Sequence, residues 1–491
     1  MAGEIIIIGG GLAGLSAGCH GRMRGFGTRI FELASTPGGL CTAWKRGGYT
    51  FDGCISWLVG TRPDEAVLEV YRALGILDAV RLRPVDEYMR YADEPTGRSF
   101  SFTSDYAATR AALLDIAPGD KKAIDYFLNM ALALSKTTIP AEEFTEMPLW
   151  RRLRLLWEWR RMFLAMSRLG EPAAEFAARI EDPWARRIIR DLFDPNGAVI
   201  FHMMTAGWLF GNDMSRIDGG DSLEFSRAIE RKYLALGGEI RYNAPVSRII
   251  VEGSRAVGVE LDDGTTHRAD YVISASDLHQ TLYKFLGGRF VPDHMKRMFD
   301  KWSLFSPIII ASFGVRGEFP PLAYSTMLYP KETFKAGARE VDALYVRDFG
   351  PRSPLAPEGC RVVQAFFETD FESWQSMRAE GRDRYNSLKE HAAAEALKRV
   401  EYLMPGISRA VEVTDVATPA TFYRYSRNHM GSYEGWLMNM EAFTHPVEKT
   451  LPGLERLYLA GQWVQPGGGV PTALLSGRKV INMITRSKRQ V

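Results

Sequence analysis

"EIIIIGGGLAGLSAGC", from Glu4 to Cys19, decides how this chain begins to fold. Ile5 to Ile8 form a continuous β-branched run, short enough for one strand buried on both faces. The run stops at Gly9. Gly9, Gly11 and Gly14 then make GxGxxG around Leu12, Ala13, Leu15 and Ala17, residue types that suit the opening of a helix. In that arrangement Gly9 permits a tight turn and Gly11 lets backbone approach a pyrophosphate. Gly14 lets helix and strand pack closely, and the helix N-terminus offers unpaired N–H groups to the anion. A secretory signal would need a basic leader and a small-residue cleavage site, whereas acidic Glu4 precedes this run.

Glycine-rich turns are common, so the next stretch matters. "TRIFE", Thr28 to Glu32, reads as a second strand ending in an acid, where the dinucleotide fingerprint expects a carboxylate for a ribose hydroxyl. Glu32 alone would read as a solvated charge at a strand end. With strand, glycines, helix, strand and acid in order, a dinucleotide site is the better reading.

The 491 residues suffice for about two or three domains. Hydrophobic content of 46% and charged content of 24% are ordinary globular values, and a formal charge of +2 argues against a nucleic-acid partner. Cys19, Cys41, Cys54 and Cys360 form no metal-ligand spacing and no disulfide framework, so structural thiols in a reducing, cytoplasmic setting are expected. No apolar run approaches the length of a membrane span.

Further along, "STPGGLCTAWKRGGYTFDGCISWL" (Ser35 to Leu58) repeats paired glycines, and helical patterns dominate from about Asp64 to Phe210, interrupted near Ser99 to Thr103. A helix ending at Gly237–Gly238 leads into a strand at Glu239 to Tyr242, then into strands with a hairpin turn at Asp263–Gly264. "SPIIIASFGV" and "RVVQAFFET" read as buried strands of a second sheet. "ERLYLAGQWVQPGGGVPTALLSGRKVINMI" (Glu455 to Ile484) repeats the opening order of strand, glycine turn and helix, without a second GxGxxG.

These pieces together resemble the carotenoid desaturase, carotenoid isomerase and retinol saturase group of amine-oxidase-like flavoproteins, in order and over nearly the whole chain. The resemblance implies an α/β fold: a Rossmann-type FAD-binding domain with a parallel sheet, and an inserted α+β substrate domain. It assigns residues 1–95, 215–285 and 450–491 to the first and 96–214 and 286–449 to the second. It implies that Gly9, Gly11, Leu12, Ala13, Gly14 and Glu32 hold the ADP half of FAD, with Val246 on the adenine side. Gly38, Gly39 and Leu40 would pass the pyrophosphate and ribitol, and Cys54, Ile55, Ser56 and Trp57 would lie near the flavin. Gly461 and Gln462 would sit by the pyrophosphate and ribitol, and Gly469, Val470 and Ala473 under the isoalloxazine. Many relatives carry a basic residue where this chain has Leu40, which leaves phosphate contacts to backbone amides and to Lys45 or Arg46.

No residue is singled out for catalysis. His202, His429, Tyr423, Tyr425 and Tyr433 are candidate proton carriers that read first as hydrogen-bonded structural residues. "PLWRRLRLLWEWRRMFLAMSRLG" (Pro148 to Gly170) sets Trp150, Trp157 and Trp159 among Arg151, Arg152, Arg154, Arg160, Arg161 and Arg168. It reads either as a core helix with a solvated basic face or as an interfacial helix on anionic lipid. The expectation is an FAD-dependent oxidoreductase acting on CH–CH or C=C bonds of an apolar isoprenoid or lipid, peripheral to a membrane. Desaturation, which needs an acceptor such as oxygen or a quinone, ranks first by a small margin. Isomerisation, which needs reduced flavin but consumes no electrons, ranks second, and saturation, whose nicotinamide site the sequence does not show, third. An amine oxidase-like enzyme with a polar substrate, or a flavin-holding structural protein, are the alternatives.

Overall fold

The structure, a computed structural model, describes residues 3–138, 147–445 and 447–489, and within the helix Leu149–Leu169 it leaves the side chains at 158 and 161–168 aside. Two sheets organise it. The first has five parallel strands in the order Glu239–Arg241, Gly27–Phe31, Glu4–Ile8, Tyr271–Ser274 and Leu457–Leu459. Its centre is the isoleucine run: Ile5 to Ile8 are at most 3% exposed, as expected of a strand covered on both faces.

The helix Leu12–Met23 follows at once, buried over Leu12 to Gly21, and its small residues explain how. A Cβ on Gly14 would overlap the carbonyl oxygen of Gly9, and one on Gly18 would stand 2.7 Å from the Tyr233 ring. The C-terminal helix Val470–Arg489 presses equally close, since a Cβ on Gly477 would overlap the Ala13 carbonyl. The helix Ser222–Ala235, capped by Asp221, completes this layer.

The second sheet has seven strands: Val411–Ala417, Ile308–Arg316, Cys360–Glu368, Leu344–Asp348, Ser325–Tyr329, Glu87–Asp93 and Arg98–Thr103. The two strands expected from "SPIIIASFGV" and "RVVQAFFET" pair antiparallel at its heart, Ile308 opposite Glu368 through Arg316 opposite Cys360. Strand Glu87–Asp93 belongs here, parallel to Ser325–Tyr329, although the sequence groups it with the first unit and within a helical stretch. The reason is physical. Tyr88, Met89, Tyr91, Ala92 and Asp93 are all buried, so the strand lacks the alternation that would announce it.

A buried polar junction ties the two units. Asp52 Oδ2 accepts from the Ser222 N–H (2.7 Å), and Oδ1 from the Cys54 N–H (2.9 Å) and the Ser222 hydroxyl (2.8 Å). Arg347, from the second sheet, donates to the Asp52 carbonyl (2.6 Å), the Ile55 carbonyl (3.2 Å), Ser56 Oγ (3.2 Å) and Gln364 Oε1 (2.8 Å). The segment Asp52 to Ser56 is therefore held from both sides.

Candidate functional site

A cavity of about 1290 Å³ is lined by residues of both units. Its narrow part is backbone. Gly38 donates to the Gly10 carbonyl (2.9 Å) and bridges to Gly11, so the paired glycines run alongside the first glycine turn. The helix Leu12–Met23 has no side-chain cap, and its opening amides face the space that Gly11 leaves. A Cβ on Gly11 would meet nothing nearer than 3.9 Å, and one on Gly461 nothing nearer than 3.8 Å. Gly9, with φ of +100°, supplies the left-handed turn.

Glu32 lines the same space, 6% exposed. Its Oε2 accepts from Gly10 and its Oε1 from Ala34 (2.7 Å), with no cation paired to it among the described residues, and burial raises its carboxyl above the usual range. Val246 lies beside it, because Ala244 donates to the Glu32 carbonyl (2.8 Å).

The cavity brings together Gly9, Gly11, Leu12, Ala13, Glu32, Gly38, Gly39, Leu40, Cys54, Ile55, Ser56, Trp57, Val246, Gly461, Gln462, Gly469, Val470 and Ala473. Gly14 is absent from that wall and serves helix packing instead. Lys45 and Arg46 are also absent. The hairpin Ala43–Arg46 with Tyr49–Asp52 turns both outward, and Arg46 pairs with Asp415 at 3.3 Å. The wall at the paired glycines is therefore main chain, while Lys284 and Arg427 line other stretches of the cavity. Backbone cradle, open glycines and a buried carboxylate without a cation fit a dinucleotide laid across them.

The wide part of the cavity is side chains. Trp57, Phe193, Phe201, Met204, Trp208 and Phe366 line it, with Trp159 reaching in from the helix Leu149–Leu169. Pro148 is the cap residue before that helix, and Arg161 and Arg168 lie outside the described side chains.

The candidate proton carriers separate. His202 is fully buried between two carbonyls, Asp194 at 2.8 Å and Ile189 at 3.3 Å, and does not line the cavity. His429 stacks on His279 (ring centroids 4.5 Å apart), and burial first, then that neighbour, lowers it to about 4. Tyr423 packs on Phe371, while Tyr425 and Tyr433 line the cavity.

Sequence reasoning missed Asp52, Arg347, Asp277 and Glu434. Asp277, 1% exposed, accepts from Gln280 (2.7 Å) and His429 (2.8 Å), joining two stretches of cavity wall, and burial pushes it up to about 7. Each of these residues acts across a long sequence separation that no local pattern records. Among the described residues no cluster of His, Cys, Asp and Glu could hold a metal ion, and no helix is long and apolar enough to cross a membrane.

Comparison with known proteins agrees with this geometry. The family model described as flavin containing amine oxidoreductase matches residues 12–481. A phytoene desaturase (lycopene-forming) of Pseudescherichia vulneris is 24% identical, over 98% of this chain and 99% of its own. Prolycopene isomerase 2 of an Oncidium hybrid cultivar is 24% identical, over 96% of this chain and 82% of its own. Among solved structures, putrescine oxidase bound to putrescine superposes with a TM-score of 0.62 at 17% identity, covering 99% of each chain. The chain belongs to the flavin-containing amine oxidoreductase family, with the amine-oxidase-like fold and FAD as its cofactor.

Proposed function

We propose that this FAD-dependent oxidoreductase removes hydrogen from a CH–CH bond of an apolar isoprenoid or other lipid drawn from a membrane surface. Bound FAD supplies the two-electron oxidant. The chain supplies shape: Trp57, Met204, Trp208 and Phe366 offer a polyene apolar surface.

The observation that carries this reading is the helix Leu149–Leu169. Trp159 lines the cavity from its inner side. On its outer side Leu149, Trp150, Leu153 and Trp157 are 71%, 63%, 58% and 66% exposed. With Leu156 they fall at the spacing of one helical face, beside exposed Arg151 and Arg154. Apolar residues flanked by arginines suit the headgroup boundary of an anionic bilayer, where such a substrate is dissolved. Electrons then leave to an acceptor such as oxygen or a quinone.

Single-turnover reaction of the oxidised holoenzyme with phytoene, without oxygen, tests the reaction. Desaturation bleaches the flavin stoichiometrically and gives a product two hydrogens lighter. Product of unchanged mass, formed only after chemical reduction of the flavin, would sink desaturation and promote isomerisation. One observation favours a second reading, oxidation of an amine: Glu434 and Asp194, two carboxyls, share the cavity. That reading predicts peroxide release with alkylamines in air and no bleaching by polyenes.

A further inference from the structure

We propose that Glu434 is the proton acceptor of the dehydrogenation, which rests on the desaturation reading above. Glu434 lines the cavity at the junction of its backbone and side-chain parts. A Cβ built on Gly469 would lie 3.7 Å from Glu434 Oε1, and one on Gly468 would overlap the Glu434 side chain. The carboxyl therefore stands against the glycine turn that opens the helix Val470–Arg489, over which the isoalloxazine belongs by resemblance.

Its backbone is fixed. Gly435 donates to Ser432 Oγ (2.9 Å), and the Gly435 carbonyl accepts from Phe305 (3.0 Å). Two residues on, Leu437 donates to the Ser303 carbonyl (2.9 Å). Asn428 Nδ2 holds the Ser432 carbonyl at 3.0 Å from the other side. The side chain, by contrast, has no hydrogen-bond or ion-pair partner among the described residues. A carboxyl on a pinned turn, facing a cavity and bonded to nothing, is positioned for something that enters that cavity.

The surrounding groups come from six segments. Asp194 precedes Pro195 on the loop after the helix Pro183–Arg190, and Glu368, from the second sheet, and Arg339, from the hairpin Phe334–Ala336 with Arg339–Val341, act on it. Tyr433 is its chain neighbour, Tyr88 projects from strand Glu87–Asp93, and Cys54 from the Asp52 to Ser56 segment. All three of these feel the Glu434 charge. No cation among these groups acts on Glu434 directly, so burial, then Asp194, pushes its carboxyl up to about 8. A base with that value is ionised above about pH 8 and strong enough to take a proton, unlike a solvated carboxylate.

In the step itself two C–H bonds of the substrate break and one C=C bond forms. One carbon yields its hydrogen with the electron pair as hydride to the oxidised flavin. The adjacent carbon yields its proton to the Glu434 carboxylate, which becomes the neutral acid and later returns the proton to water. The flavin is the oxidant, and the acceptor named above reoxidises it.

Two measurements on the holoenzyme test this. Anaerobic flavin reduction by phytoene in nonionic micelles is followed against pH, and the visible spectrum of bound oxidised FAD is titrated without substrate. Wild-type reduction rises about tenfold per unit and levels near pH 8, because only the ionised carboxyl accepts the proton. Glu434→Gln reduces at least about 100-fold more slowly with a flat profile, and Glu434→Asp recovers part of the rate. The spectral titration near pH 8 disappears in Glu434→Gln while FAD content stays that of wild type. A wild-type rate that falls or stays flat through pH 8 overturns the proposal, as does a spectral titration that survives Glu434→Gln. Reduction of Glu434→Gln at the wild-type rate also overturns it, yet leaves the desaturation reading standing. A wild-type flavin that phytoene never bleaches overturns the desaturation reading, and the proposal with it.

Discussion

The two parts of the cavity are built from opposite materials. The cofactor part is built mainly on main chain: Gly9, Gly11, Gly38, Gly39 and Gly461 open its wall, with the Glu32 carboxylate among them. The wide part is lined by side chains from segments far apart in sequence, such as Trp57, Met204 and Phe366. A backbone cradle depends on where the chain turns, so it is specific for a phosphate-bearing group and intolerant of substitution. A side-chain wall changes shape with each residue, so it can be refitted to new substrates on an unchanged fold. This contrast suits a chain similar to proteins named phytoene desaturase and prolycopene isomerase, whose fold a putrescine oxidase also shares.

The largest effect is expected where the two parts join. Arg347 is fully buried, as is Asp52, with 3.5 Å between guanidinium and carboxylate, and four further acceptors surround Arg347. Arg347→Met removes the cation and leaves Asp52 charged in the interior. Breaking such a pair costs about 3–5 kcal/mol. The expected outcome is a lowered thermal transition with early flavin release, read by flavin fluorescence on heating. A variant that melts with wild type would show that the halves are held by packing alone.

Within the cofactor part, two glycines of one motif separate by role. Gly14→Ala drives a Cβ into the Gly9 carbonyl, a backbone atom that cannot swing aside, and overpacking of this kind costs about 1–3 kcal/mol or more. Gly11→Val meets open space, so the fold should keep its melting temperature in the flavin-free state while FAD binding is lost. FAD content after gel filtration and the melting of flavin-stripped protein distinguish them. If both variants lose stability equally, the motif serves packing throughout.

That difference also explains what was legible. Glycines, β-branched runs and a terminal acid are local signals, so both strand–glycine–helix units and the central strands of the second sheet could be read directly. Strand Glu87–Asp93 could not, because burial on both faces erased its alternation. Lys45 and Arg46 misled, since a basic residue near paired glycines looks like a phosphate ligand until hairpin register turns it to solvent. Arg347 and Glu434 look in sequence like ordinary surface charges. Only the tertiary structure brings Arg347 against residues about 290 positions away, or sets Glu434 against the closing glycine turn.

The smallest effect per residue is expected on the outer face of the helix Leu149–Leu169, where contact with a bilayer would be reversible. Arg151 and Arg154 are exposed, and the Arg160 guanidinium lies 3.8 Å over the Trp157 ring, which keeps charge and aromatic surface together. Each arginine near an anionic surface contributes about 1 kcal/mol, screened within a Debye length of about 8 Å at physiological salt. Trp150 and Trp157 add a term that salt does not screen. Flotation with phosphatidylserine-containing vesicles should therefore weaken as salt rises without vanishing. Changing Arg151, Arg154, Arg160 and Arg161 to glutamate should remove the salt-sensitive part, and Trp150→Ser with Trp157→Ser the remainder. Neutral phosphatidylcholine vesicles should retain only the tryptophan-dependent part. Were both variants to float as wild type does, the helix would be a solvent-facing cover of the cavity, and the substrate would have to arrive by another route.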